Sequence, residues 1–298
     1  MSLLNLTNDG LPNLLVTLHA SVIRSSEPPK KDDLIQTVAP PDVVEDGATL
    51  ARATLARWSA LGLFEEVGGV IQTAKPERHG KMSALELRDY TRRCACAAVF
   101  AERNNMDLWA NEAARSADLT RSLSWMLAQD VYRSRFGEFA AQETRQIRNP
   151  DKLLLVNQTR VTGLRTWTGF LGFSREPFAD IDPTVAVRDA LPEILDAGQG
   201  MLATTFVERL CALLPVLDRG RYQTEVLSEV DPMALPPRAP GQLSTALSRA
   251  LLNLRASGKL VLDRKDDAGS AVTLTGAQGV RTDLTFQWIQ RPMGAAVR

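Results

Sequence analysis

The sequence predicts a mainly α-helical protein with winged helix-turn-helix modules at its N- and C-terminal ends and a helical middle between them. Three observations carry that expectation. Apolar residues recur at helical spacing along most of the chain. Near each end, three such stretches precede two short runs of strand formers around a turn. Helix–Gly–strand junctions recur as LARWSALGLFEE (55–66), LRTWTGFLGFSRE (164–176) and LLNLRASGKLVL (251–262), an internal echo in which a one-residue offset separates the first two copies.

The N-terminal module opens with Leu11 to Arg24, apolar at 14, 15, 18, 22 and 23, with Pro12 tolerated in a first helical turn. Lys31 to Val38 reads as a short second helix, closed by Pro40-Pro41. A third begins at Asp46 and runs over Ala48 to Leu61, with Leu50, Thr54, Trp58 and Leu61 on one face and Gly62 as its stop. Leu63 to Val67 and Val70 to Thr73 flank Gly68-Gly69, a hairpin signal. Three helices and a hairpin are the layout of a winged helix, with the third helix as reader and the hairpin as wing.

In the middle, Ser83 to Asn104, Asp107 to Leu127, Asp130 to Gln146, Asp151 to Leu171 and Pro183 to Ala197 read as helices, and Ser83 with Glu86 forms a capping-box pattern. The middle junction reads as a degenerate third winged helix without a clear wing, because Pro177 falls where a second strand should run. The C-terminal module takes helices from Met201 to Leu217, Tyr222 to Val230 and Gln242 to Ser257, the last with Leu243, Leu247, Leu251 and Leu254 on one face. Lys259 to Lys265 and Ala271 to Thr275 then read as a wing around Asp266 to Ser270. The domain reading is 1–76, 77–200 and 201–298.

Of 298 residues, 44% are apolar, which excludes wholesale disorder. Two histidines and three cysteines exclude most structural zinc scaffolds, which need four nitrogen or sulfur ligands together. Cys94, Cys96 and Cys211 read as small buried hydrophobes in a reducing cytoplasm. No apolar run approaches the length of a bilayer span, and the first ten residues lack the pattern of a signal peptide.

Catalytic motifs are absent from the sequence. His79-Gly80-Lys81-Met82-Ser83 lacks the upstream glycine and preceding strand of a phosphate-binding loop. His19, on an amphipathic helix, reads as a structural histidine, and His79 as a solvated one. Asp180 and Asp182 read as a loop plus a cap for the helix starting at Pro183. Asp263-Arg264-Lys265 has the look of a nuclease element but sits in an expected wing, without a second acid. The expectation is a protein that is not an enzyme, with no cofactor and no metal.

Thirty-five basic and thirty-five acidic side chains cancel, yet they are segregated. Residues 1–76 carry net −3, 115–170 net +4, 177–237 net −6 and 238–298 net +5, the last without a glutamate. The third helix and wing of the C-terminal module are therefore basic. Arg249, Asn253, Arg255, Lys259, Arg264 and Lys265 are the candidate double-stranded-DNA contacts, with Ser244 and Ser248 as further polar groups, because cations there would neutralise phosphates. Asp263, Asp266 and Asp267 oppose that reading. In the N-terminal module the third helix carries Arg52 and Arg57, but Glu65 and Glu66 occupy the first wing strand, which suits a protein contact better. Arg115, Arg121, Arg133, Arg135, Arg145 and Arg148 suggest a second basic surface.

The segments MSLLNLTNDGLPNLLVTLHASV (1–22) and VEDGATLARATLARWSALGLFEE (44–66) resemble the DpdG proteins of bacterial gene clusters that insert 7-deazaguanine derivatives into DNA. The resemblance implies a cytoplasmic accessory protein of a DNA modification or anti-phage defence system, acting beside helicases, an ATPase and a base-exchange enzyme. It brings no catalytic residues. The expected function is a non-enzymatic DNA-binding or adaptor component. The alternatives are a protein-contact subunit of a larger ATPase complex of the chromosome-organising kind, or a transcription regulator. A homodimer is open under each.

Overall fold

Helix dominates the chain. The computed structural model describes residues 3–4, 11–43, 48–109, 115–175, 180–264 and 271–293. In chain order α1 (Pro12–Arg24), α2 (Lys31–Val38) and α3 (Thr49–Ala60) precede the strands β1 (Glu65–Val67) and β2 (Val70–Gln72). Then come α4 (Ala84–Phe100), α5 (Ala117–Ala128), α6 (Phe139–Gln146), α7 (Gln158–Leu171), β3 (Ser174–Arg175), β4 (Asp180–Ile181) and α8 (Thr184–Ile194). The C-terminal third holds β5 (Gly200–Leu202), α9 (Ala203–Leu213), α10 (Arg221–Leu227) and α11 (Thr245–Ala256). It closes with β6 (Val261–Asp263), β7 (Val272–Gly276), β8 (Gly279–Phe286) and β9 (Trp288–Gln290). Two compact units form: Met1–Leu119 with Thr162–Leu171, and Thr120–Val161 with Gly172–Arg298.

In the first unit, α1 buries Leu15, Leu18, His19, Val22 and Ile23 and packs against α2, α3 and α4. Trp58 of α3 is fully buried, its ring 5.4 Å from that of Trp167. β1 and β2 pair antiparallel through a turn whose Gly68 (φ 60°) and Gly69 (φ 81°) both take the left-handed conformation. That is the backbone of a type I′ turn. The segment between α1 and α2 lines the hairpin: Lys30 bridges Val70 and the Ile71 N–H donates to the Pro29 carbonyl at 2.8 Å.

The Ser83–Glu86 capping box is present at the start of α4, but that helix ends earlier than expected. Asn104 Nδ2 donates to the Leu61 and Ala98 carbonyls, and Asn105 Nδ2 to those of Val99 and Ala101. The bonds to Ala98, Val99 and Ala101 occupy carbonyls that a continued α4 would need, so the helix stops there. Asp107 then lies in a left-handed turn (φ 52°), and α5 starts ten residues after the expected helix did.

The second unit also shortens the expected helices, through side chains that capture backbone groups. Asp130 accepts the Tyr132 N–H at 3.0 Å, which makes residues 130–138 a turn and a short 3₁₀ helix before α6. Buried Glu143 accepts the N–H groups of Leu154 and Leu155, holding that stretch out of a helix. The Asn157 side chain accepts the Arg160 N–H at 2.9 Å, so α7 begins only at Gln158.

Two strand expectations are corrected. β6 does not pair with the segment that follows it: it runs antiparallel to β9, with Leu262 opposite Ile289, and β9 also pairs β5. The C-terminal hairpin is instead β7–β8, turning through Ala277-Gln278. Residues 265–270, which include Lys265, Asp266 and Asp267, lie outside the described residues. In the middle, where Pro177 argued against a second strand, a two-residue ladder pairs Ser174 with Ile181 and Arg175 with Asp180. Pro177 itself lies outside the described residues.

The three echoed junctions share one local structure. Gly62 (φ 84°), Gly172 (φ 85°) and Gly258 (φ 68°) are all left-handed, and each ends a helix and begins a strand segment. Leu63 N–H reaches the Trp58 carbonyl at 2.9 Å, and Lys259 N–H the Leu254 carbonyl at 2.8 Å. Both are the long bond of a Schellman stop.

Candidate nucleic-acid interface

The expected reading helix is α11. Ser244 caps it by accepting the Leu247 N–H at 3.1 Å, and its own N–H donates to Asp218 Oδ2 at 2.7 Å. Leu247, Leu251 and Leu254 are buried, as their spacing predicts. The polar positions are largely turned to the protein as well. Ser248 is buried and its Oγ accepts the Thr275 N–H of β7 at 2.8 Å.

Arg249 Nη1 donates to the Ile181 carbonyl at 2.9 Å, and its guanidinium carbon lies 4.9 Å from the centre of the Tyr132 ring. Asn253 Nδ2 donates to Asp182 Oδ2 at 3.2 Å and to Thr184 Oγ1 at 3.0 Å. Asp182, which also accepts the Thr184 N–H at 3.0 Å and pairs with Arg175 at 3.4 Å, thus fixes the start of α8 against α11. It does not cap α8 as expected: the helix starts at Thr184 with Pro183 at the N-cap and no side-chain cap bond, and Asp182 accepts the Thr184 N–H from two residues before the helix.

Arg255 is exposed in the last turn of α11, and Lys259 is half-buried just past Gly258. Arg264 is exposed beyond β6, with Nε donating to the Thr285 carbonyl at 3.0 Å. The structure therefore gathers Arg255, Lys259 and Arg264 on the segment that leaves α11, and commits Arg249 and Asn253 to contacts inside the second unit. Sequence reasoning missed Arg281. It is exposed on β8 and lies across Gly276, where an added Cβ would come within 3.3 Å of Arg281 Cγ. The Gly-Ala-Gln-Gly run at 276–279 was the available signal for that hairpin.

Of the second arginine series, Arg121 is buried. Arg133 pairs with Asp130 at 3.5 Å, Arg135 with Asp180 at 3.7 Å and Arg148 with Asp231 at 2.5 Å. In the first unit Arg57 is buried, Arg52 pairs with Asp32 and Lys31 with Glu66, each at 3.0 Å, and β1 is exposed along its length.

His19 is fully buried between Thr91 and Thr73, whose hydroxyls lie 2.9 and 3.0 Å from its two ring nitrogens. Burial pushes its pKa down to about 4, so the ring is neutral and structural. His79 is half-buried, with Nδ1 at 3.0 Å from the Pro76 carbonyl. Among the described residues no group of three or more His, Cys, Asp or Glu side chains is arranged to hold a metal. No helix among them is long and apolar enough to cross a membrane.

These features define a mainly helical protein with small sheets, an exposed acidic strand in one unit and exposed arginines at and after the end of α11 in the other. The chain belongs to the DpdG-like family, which matches residues 1–268. No curated protein and no solved structure matches it.

Proposed function

We propose that this chain is a non-enzymatic DNA-binding and adaptor component of a bacterial system that modifies DNA with 7-deazaguanine derivatives. The observation that carries the reading is the run of exposed Arg255, half-buried Lys259 and exposed Arg264 where the chain leaves α11, next to a family membership tied to DNA modification. Winged-helix modules are part of the same proposal. In the first unit it is supported by three helices, a type I′ hairpin and a strand-like Lys30 on the hairpin edge. In the second, β7–β8 takes the place of the wing.

The reading narrows the DNA surface. Arg249 and Asn253 supply tertiary contacts and hold α11 in place, while Arg255, Lys259 and Arg264 meet phosphate. A gel shift with duplex DNA tests it: Arg255→Glu with Arg264→Glu should weaken binding by tenfold or more, and an undiminished shift rejects this surface.

A second reading has a specific observation in its favour. The exposed strand β1 carries Glu65 and Glu66, and an acidic hairpin repels phosphate. Under that reading the first unit is a protein-contact module for an ATPase partner. Stable co-purification with an ATPase, without any DNA shift, would select it.

A further inference from the structure

The second unit holds a cleft of about 280 Å³ between α10 and the proline-rich segment that leads to α11. That volume is at the small end for ligand sites. Leu227, Val230, Leu235 and Pro236 form apolar walls. Asp218, Gln223 and Arg238 supply the polar lining, and Arg219 adds a further cation.

The polar groups are built rather than incidental. Asp218 is 2% exposed. One of its carboxylate oxygens is held by the Ser244 N–H, and the other is shut from solvent without a hydrogen-bond partner among the described residues. Arg238 pairs with that second oxygen at 3.6 Å and donates from Nη2 to Gln223 Oε1 at 3.0 Å. Gln223 is in turn fixed by its Nε2 bond to the Val216 carbonyl at 3.0 Å. Arg238 is therefore charge-balanced from behind and oriented. Of its five N–H donors, only this one is used in a hydrogen bond among the described residues.

Arg219 adds a second observation. It has φ 41°, a left-handed conformation that glycine would adopt without strain. A strained residue beside a cleft points to function, and here the strained residue is an exposed cation.

We propose that this cleft binds a small oxyanion carrying a compact apolar body, a carboxylate or phosphate monoester of organic-acid size. The oxyanion would take the unused Arg238 donors in a bidentate fork with Arg219 adding charge, and the apolar body would lie against Leu227, Leu235 and Pro236. A cation is disfavoured by two guanidiniums. A neutral group would gain nothing from the charge of either guanidinium. The cleft shares no residue with the proposed DNA surface, so either can fail alone.

Calorimetric titration of the full chain with benzoate, phenyl phosphate, benzamide and benzamidine tests it. Benzoate or phenyl phosphate should bind, the tighter of the two identifying carboxylate or phosphate as the natural head, while benzamide and benzamidine should not. Leu227→Trp fills the cleft without touching the ion pair and should weaken binding at least tenfold. Arg219→Gly should raise the melting temperature by relieving strain, yet lower affinity about twofold to fivefold. The proposal is overturned if neither anion binds the folded wild type. It is equally overturned if benzamide binds as well as benzoate, or if both variants bind like wild type.

Discussion

His19 shows how burial decides a residue's role. Its ring is enclosed by two threonine hydroxyls, Phe64 and Tyr90, and its folded pKa of about 4 lies below the ordinary value of 6.5. The native state therefore refuses a proton that the unfolded chain accepts, and stability is lost as pH falls from about 6.5 to about 4. The full loss is on the order of 3 kcal/mol. Urea denaturation at pH 7 and pH 4.5 should show it, and His19→Gln should flatten the difference. A wild-type stability independent of pH over that range contradicts the assignment. The cysteines follow the same logic, except that only Cys96 and Cys211 are buried as expected and Cys94 is half-buried. All three are free, and burial raises the thiol pKa of Cys94 and of Cys211. Native protein at pH 8 should resist iodoacetamide at both, with labelling by intact mass appearing only on unfolding. The structural character of His19 and the free cysteines were legible in the sequence, because a lone polar residue on an apolar helical face has few other fates. The partners of Arg249 were not. Ile181 and Tyr132 are distant in the chain, and nothing local in α11 announces them.

At the scale of elements, the three left-handed glycines make the clearest forecast. An added Cβ at Gly62 would sit 1.9 Å from Arg103 Nη2, whereas one at Gly258 meets nothing within 4 Å. Gly258→Ala should cost about 1–2 kcal/mol, from the left-handed backbone alone. Gly62→Ala should cost more, because the Arg103 side chain must also move. Thermal melts of the two variants compare them, and equal losses would argue against the close approach. Helices α1, α2 and α3 match their sequence reading within a residue or two at each end, since apolar spacing and glycine stops are local signals. The helices of the middle do not, because Asn104, Asp130 and Glu143 divert backbone groups over distances that periodicity does not register. Strand pairing failed for a related reason. Proximity in sequence pairs β6 with the strand that follows it, but its partner β9 begins 25 residues after β6 ends, beyond any hairpin signal.

For the whole chain, the cancellation of thirty-five charges by thirty-five turns into a question of which charges face solvent. Much of the basic block at 115–170 is internally matched, by Asp130, Asp180 and Asp231. The block after residue 238 keeps exposed arginines at 255, 264 and 281. An electrically neutral chain of this kind should bind DNA through few phosphates and with modest salt sensitivity. Fluorescence anisotropy of a labelled duplex, titrated with the full chain at several salt concentrations, measures that directly. The account predicts binding at low salt and a linear fall of log affinity with log salt. Arg255→Glu with Arg264→Glu should weaken binding and make that slope shallower by about two. No binding at the lowest salt, or a slope and affinity unchanged by the double substitution, would contradict it.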